Sequence, residues 1–130
     1  MQDIYIEMMD ISREYMTIHR YIISRSMKSK DYEGCMKKLN QITEDVKNLE
    51  KLIEKQKKSE DYDAFKDHIR NLSWMISGLT EITEGLDKKA TGDGKYGFFK
   101  YRKDLKNLDE THKIFEISGT YLNSMGPKYS

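Results

Sequence analysis

Three histidines, His19, His68 and His112, are the only imidazoles in the chain, and each lies on or beside an apolar stripe. Imidazole beside a carboxylate can ligate a metal or relay a proton, because its pKa sits close to neutrality. If the first and last helical segments are antiparallel neighbours, counting outward from the turns sets His19 and His112 within about one helical turn of each other. Glu44 and Trp74 fall at similar levels. A metal centre asks for more ligands than this. Di-iron bundles take four glutamates and two Glu-x-x-His motifs, and the nearest approach here is a single Asp109-x-x-His112. One cysteine, Cys35, excludes a cysteine-based zinc site and an internal disulfide within one chain. No metal and no cofactor is expected, and the histidines are expected to be satisfied by a neighbouring tyrosine or a carbonyl.

The second group able to do chemistry is Lys95-Tyr96-Gly97-Phe98-Phe99-Lys100-Tyr101-Arg102-Lys103, a local concentration of cations and rings. Exposed rings beside cations bind single strands or acidic surfaces without sequence preference. The candidate contacts are Lys95, Tyr96, Lys100, Arg102 and Lys103, with Tyr96 offering its ring. The plainer expectation turns Phe98 and Tyr101 into the core and leaves the cations to solvate the first turns of the last helix. Hydrolase machinery is absent: there is no Gly-x-Ser-x-Gly, no P-loop, no His-Glu-x-x-His and no carboxylate cluster facing a core. Enzymatic activity is not expected.

Three further patterns resemble known families. Asp67-His68-Ile69-Arg70-Asn71-Leu72, with Ile76 and Gly78 beyond, resembles the phosphoacceptor segment of histidine-kinase dimerisation domains. Aligned on Ile69, Arg70, Asn71, Ile76 and Gly78, Asp67 stands in the histidine's place and the proline is missing. Histidine phosphotransfer bundles, similar in size, expect His-x-x-Lys-Gly, where this chain has Asn71 and Leu72. The resemblance implies His68 as phosphoacceptor; the alternative is a charged helix face beside a core stripe. Gly94 to Tyr101 looks like the ribonucleoprotein octapeptide of RNA-recognition motifs with its first two residues exchanged, but that motif works from a β-sheet. Arg13 and His19 resemble the Arg-x(4–6)-His motif of HEPN ribonucleases, which lies in a late helix of that fold rather than the first.

What must position these residues is legible from hydrophobic spacing. Tyr32, Cys35, Leu39, Ile42, Val46, Leu49 and Ile53 alternate steps of three and four, one apolar stripe on a helix. Ile4, Met8, Ile11, Tyr15, Ile18 and Ile22 form a first seam. Tyr62, Phe65, Ile69, Leu72, Ile76, Leu79 and Leu86 form a third, and Phe98, Tyr101, Leu105, Leu108, His112, Phe115, Gly119 and Leu122 a fourth. The spacing predicts helices over about 2–28, 31–57, 60–88 and 98–124, with Ser29 or Asp31 and then Ser59 as N-caps and a Gly-rich loop over 90–97; the alternative at residues 26–31 is one long helix whose seam continues through Tyr32 and Met36. Short turns between helices about 39 Å long imply an all-α, antiparallel up-down four-helix bundle in one domain of 130 residues. Leu39, Val46, Leu49, Leu72, Leu79, Leu105 and Phe115 should be buried, and the residues after Gly126-Pro127 should fray.

Charged residues make up 35% of the chain and apolar ones 37%, and 23 basic residues nearly cancel 22 acidic ones. No global field therefore draws the protein to nucleic acid or anionic membranes; a local patch would have to. No apolar run is long enough to span a bilayer and no signal peptide is read, so membrane insertion is not expected. A buried lone thiol suits a cytoplasmic location. The function expected is a non-enzymatic interaction or adaptor module with a protein partner. The alternatives are a nucleic-acid-binding bundle using 95–103 and a phosphotransfer bundle centred on His68. Nine tyrosines and eight methionines also suggest a homo-oligomer, with Tyr5, Met9, Met16, Tyr121 and Met125 at the contact.

Overall fold

The computed structural model describes residues 1–24, 30–92 and 95–129. Among them the backbone forms four long helices, α1 (Gln2–Ile23), α2 (Tyr32–Glu54), α3 (Tyr62–Ala90) and α4 (Phe98–Ser124), and a short α5 (Gly126–Tyr129), with no strand. It is a four-helix bundle in which α3 is central, packed between α2 and α4 and touching α1. The seams of α1 and α2 close as the spacing predicts: all six residues of the first are buried, and all of the second except half-buried Tyr32. Leu39, Val46, Leu49, Leu72 and Leu79 are buried.

The helix ends differ in instructive ways. Helix α1 stops at Ile23, where Ser24 takes an extended conformation, and the predicted continuation to residue 28 lies largely outside the described residues, as does Ser29. Asp31 caps α2 as predicted, accepting from the Gly34 amide at 2.9 Å. Helix α2 ends three residues early because the chain tightens into successive three-residue turns, Gln56 to Ile53, Ser59 to Gln56 and Tyr62 to Ser59. Ser59 therefore does not cap a helix starting at residue 60. The N-cap of α3 is Asp61, whose carboxylate is turned away to Lys128 and Tyr129. Gly92 supplies the left-handed turn (φ +83°) after α3 that a side chain would resist.

That carboxylate also corrects the expectation of a frayed C-terminus. Tyr129 is buried, its ring stacked on Tyr5 at 5.5 Å and edge-on to Phe65 at 5.4 Å, with its hydroxyl donating to Asp61. Lys128 bridges Asp61 and Glu60. These bonds hold the Asp61 carboxyl below its ordinary pKa, while burial and Asp61 push the Tyr129 phenol to about 12.

Helix α4 departs furthest from its prediction. Only Leu108 and Leu122 are fully buried on it. Leu105 and Phe115, expected in the core, are half-buried. The reason is position: α4 lies along α3, and α1 reaches it through a few long side chains, so its flank stays open.

Candidate functional site

All three histidines converge on the side of the bundle where α4 closes. His68, on α3, is 1% exposed. Its ring stacks on Phe115 with centroids 4.3 Å apart, and its Nδ1 lies 2.7 Å from Ser118 Oγ. Ser118 donates to the Phe115 carbonyl and accepts from Asn71 Nδ2 at 3.1 Å. One hydroxyl has one proton and two lone pairs, so the remaining bond must be donated by His68, which fixes the Nδ1–H tautomer. Burial lowers the His68 pKa to about 4, so the ring is neutral at physiological pH. Where the phosphotransfer motif has its lysine, Asn71 serves this buried network instead, and the ring borders the surface at the edge of a shallow groove.

His19 and His112 meet between α1 and α4, as the outward count from the turns expected, with ring centroids 4.6 Å apart. Tyr15, fully buried, is 2.6 Å from His112 Nε2 through its hydroxyl. Burial and the nearby Asp109 push that phenol's pKa up, so it keeps its proton and donates, leaving His112 as the Nδ1–H tautomer. His19 Nε2 is buried without a hydrogen-bond partner among the described residues. Desolvation, then the proximity of His112, lower the His19 pKa to about 4 against an opposing pull from Asp109; desolvation likewise lowers His112. No cluster of three His, Cys, Asp or Glu side chains able to hold a metal is found among the described residues. A shallow groove of about 430 Å³ opens next to this seam, bounded by Met9, Ser12, His68, Phe115 and Gly119.

The basic-aromatic segment is arranged differently from the sequence expectation. Lys95, Lys100, Arg102 and Lys103 are exposed. Tyr96 is not a free ring: its hydroxyl donates to Asp104 at 2.8 Å, its ring meets Tyr101 edge-on, and it lies so close to Gly85 that a Cβ there would sit 2.7 Å from ring carbons. Burial, then the Asp104 bond, raises its pKa. Phe98, expected inward, is 61% exposed, and Phe99 is 86% exposed. Adjacent helical residues point about 100° apart, so with Tyr101 and Leu105 setting the inner face, Phe99 had to face out; that signal was available in the spacing.

A further feature was missed. Ile114, Ile117 and Tyr121 are exposed, Ile117 by 73%. Their spacing of three and four puts them on one outward face of α4, opposite its inner seam. Of the residues suggested for self-contact, Tyr121 is exposed, whereas Tyr5, Met16 and Met125 pack against the core and Met9 is half-buried at the groove.

No protein-family model matches the chain, and comparison with curated proteins and with solved structures finds no match.

Proposed function

We propose that the protein is a non-enzymatic helical interaction module that binds a protein partner on the outward face of α4. The observation that carries this is the exposed row Ile114, Ile117 and Tyr121 on a helix whose other face is already committed to α3. Isolated exposed apolar residues are ordinary, but a row at helical spacing is the pattern by which one helix presents itself to another. Full burial of an exposed isoleucine contributes about 1.5–3 kcal/mol; Ile117 can gain most of that and half-covered Ile114 about half, part of it offset by the cost of association.

The scaffold is taken as up-down and antiparallel. In support, Tyr21 at the end of α1 meets Asp31 before α2, and Glu54 at the end of α2 meets Tyr62 at the start of α3. His68 meets Ser118 early on α3 while Gly78 lies against Leu108 further along, so numbers rise on one helix as they fall on the next. The buried Cys35 thiol, with its pKa raised by desolvation, suits a reducing compartment such as the cytoplasm.

Affinity capture from the cells that make the protein tests the proposal with two variants. Ile114→Asp/Ile117→Asp should lose the partner while keeping the helical circular-dichroism spectrum, and Lys100→Glu/Arg102→Glu should keep it. The reverse pattern would place the partner on the basic segment instead.

A further inference from the structure

The end of the bundle between α3 and α4 is built against the usual rules of helix stability. Helix α4 starts without a side-chain cap and without an acidic residue in its first turn. Its N-terminus, already the positive end of the helix dipole, carries Lys100 and Arg102 with Lys95 just before it. Lys88 and Lys89 finish α3 at the same end. From this cationic collar project Phe98 and Phe99, two adjacent rings 5.9 Å apart with the Arg102 guanidinium over Phe98 at 5.6 Å. Neither ring has a polar tip that would justify its exposure.

We propose that this tip is a docking surface for an anionic lipid bilayer, with Phe98 and Phe99 entering the headgroup–acyl boundary and Lys95, Lys100, Arg102 and Lys103 against the anionic headgroups. Apolar rings reaching about 5–10 Å into that boundary, ringed by cations, are the chemistry of interfacial binding. No described helix is long and apolar enough to cross a membrane, so the contact is with the surface. Cations outnumber acids at this end of the bundle. Asp104 is held by Tyr96 and Lys100, Asp87 is half-buried in the last turn of α3, and Glu81 and Glu84 lie one to two turns back along α3 from its last lysines. The sequence also places Asp93 in this loop, outside the described residues. A nucleic-acid strand is less well served: in the cleft beside the tip Glu81, Glu84 and Asp104 offset Lys88, Lys95 and Lys100, so it offers phosphodiesters no continuous cationic track, and the Tyr96 ring is packed against Gly85 rather than free to stack. The tip lies about 22 Å along α4 from Ile114, so this surface and the proposed protein-binding face are separate.

Co-sedimentation of the full chain with vesicles tests it, comparing pure phosphatidylcholine with phosphatidylcholine containing about 30 mol% phosphatidylserine. Binding is expected only to the anionic vesicles and should fall as salt rises. Phe98→Ala/Phe99→Ala and Lys100→Glu/Arg102→Glu should each lower the partition coefficient by about tenfold or more, with thermal melts confirming that both variants fold. Equal binding to neutral vesicles, no binding to anionic ones, or a double-phenylalanine variant that partitions like the wild type would overturn the proposal. So would binding of a single-stranded oligonucleotide in place of the vesicles.

Discussion

Acidification should weaken this fold through His68, and the size of the effect follows from its surroundings. The unfolded chain titrates this imidazole near 6.5, whereas burial against Phe115 and Ser118 brings it to about 4. A depressed folded pKa means the unfolded state takes up the proton first. The contribution is therefore fully present above about pH 6.5 and is lost progressively as pH falls toward 4. At pH 4.5 the two pKa values give a loss of about 2–3 kcal/mol relative to pH 7.5, a large share of a typical domain's stability. Urea denaturation followed by circular dichroism at a series of pH values measures it. His68→Asn places an amide N–H where Nδ1–H donates, keeping the Ser118 bond without a titrating group. That variant should be less stable at neutral pH, because it leaves a gap beside Phe115, but its stability should fall less steeply on acidification. His19 and His112, also depressed, keep contributing in both proteins. A His68→Asn slope identical to that of the wild type, or an imidazole resonance for His68 titrating near 6.5, would refute the buried neutral tautomer.

The remaining expectations concern packing. Leu72→Ala or Leu79→Ala, each truncating a fully buried side chain, should cost about 2–5 kcal/mol in chemical denaturation, and Leu105→Ala distinctly less because that residue is half-buried. Tyr15→Phe strips the donor from a part-buried His112 nitrogen and should cost about 1–3 kcal/mol, read by the same denaturation curves. Tyr129→Ala should release α5 from the Tyr5–Phe65 end of the bundle and make the C-terminus sensitive to carboxypeptidase. In the wild type the same lock should loosen in acid, as pH falls through the depressed Asp61 pKa.

The seams of α1, α2 and α3 were legible because burial repeats every three or four residues there, and a stripe of that period has one structural solution in water. The loop at Gly92 and the Asp31 cap were legible for the same local reason: each depends on a residue's own conformational preference. The meeting of His19 and His112 needed only that stripe plus an assumed helix order. What spacing did not determine was how tightly each stripe would be covered. The seam of α4 has the same period as the others, yet Leu105 and Phe115 are half-buried, because α3 covers one side of it and α1 only a little of the other. Nor does any local signal join Ser118 to His68 and Asn71, or Tyr129 to Asp61; those bonds link residues about 50 and 68 positions apart. They exist because packing had first brought α3, α4 and the C-terminus together and excluded water, and an unpaired polar group in such a place costs enough to select its partner. Periodicity thus determined which residues seek the core, and tertiary packing alone decided which faces stayed open to solvent.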